Sequence, residues 1–219
     1  MSILSELSFK NYYAEKLYIT ANVETGVIYN RSGRRMIALT NDFLLGLHRA
    51  LEKECGDKAE KVLHRCGRKW GVDFGKGLDA EWSQFYEQPA KDFPLAFFQG
   101  LLMQEFGQNG WGILDLNYDL FDKGIVWMSL RGAIMADITT SEVSYPADTL
   151  TAGILAGLFS HFLSREVDCI QSQCAKRGHS ASNFVLSSPE RIESVRKNGI
   201  SGKSHSQILD ELLLKRQAD

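Results

Sequence analysis

The chain has 219 residues, 44% of them hydrophobic and 24% charged, with a formal net charge of −2. That composition suits a soluble globular protein of one domain with extensions, or at most two small domains. The weak net charge supplies no field for nucleic acid, which is excluded as the expected partner.

No apolar run approaches the roughly 18 to 20 residues of a membrane-spanning helix, so no transmembrane segment is expected. The opening MSILSELSFK lacks the basic and apolar regions of a secretory signal. Cys55, Cys66, Cys169 and Cys174 are therefore read as reduced thiols of a cytoplasmic protein.

Residues 1–17 show weak periodicity. Residues 18–23 and 27–29 are β-rich and flank Glu24-Thr25-Gly26, a hairpin spacing. Thr40 and Asn41 cap a helix carrying Phe43, Leu44, Leu47, Ala50 and Leu51, and Gly56 stops it. A second helix starts near Asp57, with Ala59, Val62, Leu63, Cys66 and Trp70 as its buried stripe. Lys58, Lys61, Arg65, Arg68 and Lys69 lie mostly off that stripe and read as a solvated face.

Gly71, Gly75 and Gly77 interrupt the pattern, and Asp79 caps a short helix over 80–86 that ends before Pro89. Pro94 precedes a strongly apolar helix over 95–106, with Phe97, Phe98, Leu101, Leu102 and Phe106. Residues 111–121 and 125–130 read as strands about the turn Asp122-Lys123-Gly124. The run IVWMSL in the second is nearly continuously apolar, which predicts cover on both faces. Residues 131–146 fit no single pattern.

Residues 150–163 form an apolar helix with Gly153 and Gly157 four apart, and a hairpin follows over 166–174 and 182–186. Ser188 and Pro189 open a further helix. Residues 197–203 read as a linker, and Ser204 with Gln207 form a capping box for a last helix burying Ile208, Leu209, Leu212 and Leu213 and ending in Lys215-Arg216. That tail packs on the domain or docks on another chain; it reads as an element separable from the core.

Ala152-Gly153-Ile154-Leu155-Ala156-Gly157, then Cys174-Ala175-Lys176-Arg177-Gly178, then Phe184-Val185, resemble the 4-vinyl reductase domain family. Gly26-Val27-Ile28-Tyr29, Gly33-Arg34-Arg35 and Trp70-Gly71 extend the likeness upstream. It implies an N-terminal extension at 1–19, a ligand-binding domain at 20–187 and a C-terminal helical extension at 188–219. The implied fold is α+β, helices packed on an antiparallel sheet, as in nitric-oxide sensors and vesicle-tethering subunits, enclosing a hydrophobic pocket. It also implies a small apolar ligand of tetrapyrrole or chlorophyll type and a link to photosystem assembly, with residence at a photosynthetic membrane and homodimerisation as further expectations.

Zinc-holding relatives carry an upstream Cys and a Glu-x-x-Cys-x-x-x-Gly-x-x-x-Cys arrangement. Here the matched positions are Gln171, Cys174, Gly178 and Ser182, leaving one thiol, so zinc is not expected. No dinucleotide fingerprint, four-cysteine cluster or nucleophile elbow is present, so catalysis is not the favoured reading.

The expected pocket has the helices over 95–106 and 150–163 as walls, with Phe97, Phe98 and Leu101 on the first and Trp127 near by. Gly153, Gly157 and His161 share one helical face. There the glycines would admit a flat ring, and His161 could ligate a tetrapyrrole metal. Alternatively the glycines admit a neighbouring element and His161 faces solvent near the helix end. The alternatives to ligand binding are an assembly scaffold without ligand and a divinyl tetrapyrrole reductase component using an external electron donor.

Overall fold

The computed structural model describes residues 10–14, 17–138 and 146–214. Strands β1 (Ile19–Asn22), β2 (Val27–Asn30) and β3 (Arg35–Met36) form a small antiparallel meander. Helices α1 (Asn41–Cys55), α2 (Ala59–Tyr86) and α3 (Leu95–Gln108) follow. Next come β4 (Ile113–Asn117), β5 (Val126–Arg131), the short α4 (Ile134–Ile138) and α5 (Thr149–Phe162). The chain closes with β6 (Asp168–Gln173), β7 (Ser182–Ser187), α6 (Pro189–Lys197) and α7 (His205–Leu214). Strands β4 to β7 pair antiparallel in the order β4-β5-β7-β6, so the architecture is the α+β arrangement expected.

Alternation along β5 divides the interior in two. Val126, Met128 and Leu130 point to a core shared with Leu78 and Trp82 of α2, Phe97, Leu101 and Phe106 of α3, and Leu155 and Leu158 of α5. Trp127 points to the opposite face, where Ile170 and Val185 meet Ile192 and Val195 of α6 and Ile208 and Leu212 of α7. The apolar run in β5 is thus covered on both sides. Each fully buried Leu or Phe contributes about 1.5–3 kcal/mol.

The glycine-rich stretch of α2 is no break: α2 runs unbroken for 28 residues. It ends where Glu87 adopts a left-handed backbone at φ 56°, two residues before Pro89. The glycines are contact points. A Cβ on Gly67 would lie 2.2 Å from the Leu150 carbonyl oxygen, and one on Gly71 2.1 Å from that of Ile154. From the other side, a Cβ on Gly153 would lie 2.2 Å from the His64 carbonyl oxygen. Helices α2 and α5 therefore meet backbone to backbone, which only residues without a Cβ allow.

This face displaces the predicted stripe. Leu63, Gly67, Gly71, Phe74, Gly75 and Leu78 are buried, while Cys66 and Trp70 are exposed. The four cysteines are free thiols.

The tail is seated on the protein's own sheet, with Ile208 and Leu212 fully buried. Its capping box is formed as read: the Ser204 N–H donates to Gln207 Oε1 at 2.8 Å, and the Gln207 N–H donates to Ser204 Oγ at 3.2 Å. The predicted Lys215-Arg216 terminus lies outside the described residues, as do residues 139–145 of the stretch left unassigned. No helix among the described residues is long and apolar enough to cross a membrane.

Candidate functional site

The residues expected to line a pocket sit in three places. Phe97 and Leu101 are core residues, 1% and 0% exposed. Phe98 is half-buried among Trp82, Phe159 and Phe162, with its ring 4.9 Å from that of Phe162. Trp127 is on the far face of the sheet, its ring 5.2 Å from that of His205, because strand alternation turns it away from α3 and α5. Gly153 and Gly157 face the backbone of α2 instead of an open wall. His161 follows on that face and gives Nε2 to Asp79 Oδ2 of α2 at 2.9 Å. The glycine face is covered by the backbone of α2, and His161 pairs with the same helix while its side chain keeps 23% exposure.

The positions matching the zinc ligands of relatives are tied by hydrogen bonds. Gln171 Nε2 donates to Asp148 Oδ2 at 2.8 Å and to Ser182 Oγ at 3.1 Å. The Asp148 N–H returns a bond to Gln171 Oε1 at 2.9 Å, and Ser182 Oγ donates to Asp148 Oδ2 at 2.5 Å. Burial pushes the Asp148 carboxyl up to about 6, against the hydrogen bonds from Ser182 and Gln171 that lower it. This donor set holds one carboxylate, an amide and a hydroxyl bonded to one another through Asp148 Oδ2, with Cys174 the one matched thiol. It does not fit zinc, which favours thiolate and imidazole. Among the described residues, no three His, Cys, Asp or Glu side chains converge on a metal-sized site.

Beside this cluster runs an open groove of about 770 Å³ between the first turns of α2, the edge strand β6 and the α6–α7 linker. Most of its lining residues are polar or charged, with Lys61, Arg65, Arg177 and Lys203 among the cations and Asp57, Glu60 and Glu193 as acids. At its floor Ser172 Oγ lies 2.7 Å from His205 Nδ1 and 3.2 Å from the Asn183 carbonyl oxygen. Burial pulls the His205 imidazole below its usual value. The groove also meets the guarded edge of the sheet. The Val167 carbonyl accepts from Arg68 at 2.7 Å, and that of Cys169 accepts from Arg196 at 3.1 Å. Arg196 also donates to Asp168 at 2.7 Å. Burial raises the Asp168 carboxyl, but His64 and Arg196 together hold it below the usual range.

A second polar centre is fully internal. Glu105 of α3, 1% exposed, is the one charged residue of its helix. It accepts from the Tyr13 hydroxyl at 2.7 Å, from the Tyr18 hydroxyl at 2.8 Å and from Asn109 Nδ2 at 2.8 Å. Trp82 Nε1 donates to the Tyr13 oxygen at 3.1 Å. One helical step away, Glu81 accepts from the Tyr12 hydroxyl at 3.0 Å and from Asn30 Nδ2 at 3.0 Å. Burial, then the charge of Glu105, pushes the Tyr13 hydroxyl well above its ordinary value, so it stays a donor. Burial likewise raises Glu105, while its tyrosine partners pull it down. Sequence reading passed over this centre. The signal was present: a buried-helix glutamate and a Tyr-Tyr pair in a segment of weak periodicity.

No protein-family model and no curated protein matches the chain. Among solved structures, the phenol-responsive sensory domain of the transcription activator PoxR, solved with phenol, superposes with a TM-score of 0.63 at 16% identity, covering 83% of this chain and 92% of that one. A vinyl-4-reductase family protein from Methanocaldococcus jannaschii gives 0.48 at 16% identity, covering 69% and 82%. A trafficking protein particle complex subunit 3 from Naegleria fowleri, covalently bound to palmitic acid, gives 0.45 at 10% identity, covering 67% and 93%. The first of these shares the fold of this chain.

Proposed function

We propose that this protein is a non-catalytic binding domain for a small hydrophobic molecule. The observation that carries the reading is the fold shared, over 92% of its length, with a sensory domain solved with phenol. The aromatic interior with its buried polar groups is in keeping with it, since ligand sites are largely apolar with a few placed polar groups. The likeness of the segment from Ala152 to Val185 to the 4-vinyl reductase domain family adds tetrapyrroles, photosystem assembly and a photosynthetic membrane to the reading. A tetrapyrrole has no place on the Gly153–Gly157 face, which α2 covers; among the described residues the open groove offers another place.

A scaffold without ligand is the second reading. It is favoured by apolar side chains left in solvent around β2, β3 and α1: Val23 is 93% exposed, Ile37 76%, Phe43 53% and Leu47 51%. A homodimer would use the same surface.

Thermal denaturation of the full chain with phenol, and separately with protoporphyrin, tests the proposal. A saturable rise in Tm with either probe supports binding and separates the two ligand classes. No rise with either, together with a purely aromatic absorbance spectrum for protein from its native source, removes the binding reading. Light scattering then reports self-association. Turnover of a divinyl tetrapyrrole with an external electron donor would restore the reductase alternative.

A further inference from the structure

We infer that a cradle between α2 and α3, built from Trp82 and Glu105, recognises phenols, and that Tyr13 fills it as a tethered phenol. This rests on the reading of the domain as a binder of small hydrophobic molecules and names the ligand class. The Tyr13 side chain is 4-methylphenol cut at its Cβ. Its hydroxyl donates to Glu105 at 2.7 Å and accepts from the Trp82 indole at 3.1 Å. A hydroxyl meets both demands at once. A methyl or hydrogen of the same position would leave the buried carboxylate one donor short and the buried Trp82 N–H without its partner. Rings of Tyr12 and Tyr18 stand 5.0 and 5.1 Å from the Tyr13 ring, a geometry suited to a flat arene.

The recognising groups are fixed independently of Tyr13. Trp82 is fully buried and stacks on Phe162 at 5.9 Å, while Asn109 and Tyr18 hold the Glu105 carboxylate. The occupant is held differently. Residues 10–14 belong to no helix or strand. Among the described residues, the Tyr12 N–H donates to the Tyr86 hydroxyl at 2.9 Å, the Tyr12 hydroxyl to Glu81 at 3.0 Å, and Arg31 to the Tyr12 carbonyl, so each of these ties has a side chain on at least one end. A rigid site whose occupant, among the described residues, belongs to no helix or strand ladder is one a free ligand competes for.

The test uses the full chain carrying Tyr13→Ala, with 4-methylphenol and its isostere p-xylene as probes. Tyr13→Ala should lower Tm, and 4-methylphenol should restore it at a concentration at least roughly tenfold below that needed with p-xylene. Adding Trp82→Phe should shrink that preference. A variant that folds only with 4-methylphenol present gives the same positive result. In the wild type, 4-methylphenol should speed hydrogen exchange at the Tyr12 amide. Equal rescue by p-xylene, or no rescue by either probe, overturns the cradle. If phenols bind the wild type while Tyr12 exchange stays unchanged and the variant is not rescued, the cradle falls and the binding role stands. If the variant is rescued with that preference while the wild type takes up no arene, the cradle stands and the binding role falls.

Discussion

Gly157 and Arg68 touch through their backbones: a Cβ on Gly157 would lie 2.1 Å from the Arg68 carbonyl oxygen and 2.7 Å from the Val72 nitrogen. No side-chain rotation relieves such a contact, so α2 and α5 must separate to admit even a methyl group. Gly157→Ala should destabilise the protein by about 3 kcal/mol, the upper end of overpacking costs. Gly46, inside α1 with nothing within 4 Å of its Cβ position, is the control. Gly46→Ala should stabilise by about 0.5–1 kcal/mol through helix propensity. Urea unfolding of the two variants checks both signs.

Asp148 carries a pH dependence that can be isolated. Its folded pKa of about 6 stands above the ordinary 3.8, so the native state holds the proton more tightly than the unfolded chain. Its stabilising contribution is complete below about 3.8 and lost as pH rises through about 6, a change of about 3 kcal/mol. Asp148→Asn cannot titrate. Unfolding free energies measured from pH 4 to pH 7 should fall less with rising pH in the variant than in the wild type. Parallel curves for the two proteins would assign the dependence to other groups.

Arg196 joins α6 to the free edge of β6 through Asp168 and the Cys169 carbonyl. Arg196→Ala leaves a largely buried carboxylate with a weakened set of partners and uncovers a strand edge. A loss of about 2 kcal/mol is expected, together with concentration-dependent association. Thermal unfolding gives the first and light scattering at several concentrations the second. A monodisperse variant at high concentration would mean that Arg68 and His64 guard the edge without it.

Local signals carried much of the fold. The β6–β7 hairpin was legible from its turn, where Gly178 takes φ 87°. The α7 start was legible because Ser204 and Gln207 satisfy each other within one turn. The unbroken α2 was not, since the reason for its glycines lies about 80 residues onward in α5. The face of Trp127 was hidden by the same apolar run that revealed the strand: when both faces are covered, alternation carries no sign of which is which. The Tyr13–Glu105 centre joins residues 92 positions apart, and no periodicity links them.

Two helices locked backbone to backbone move as one beam. Trp82 and Glu81 stand near one end of α2, while Lys61 and Arg65 border the groove near the other, roughly 30 Å away at 1.5 Å per residue. With the glycine contacts between them, sliding α5 along α2 would require the two backbones to part first, so a tilt imposed on α2 at the tyrosine end would be expected to carry α5 with it.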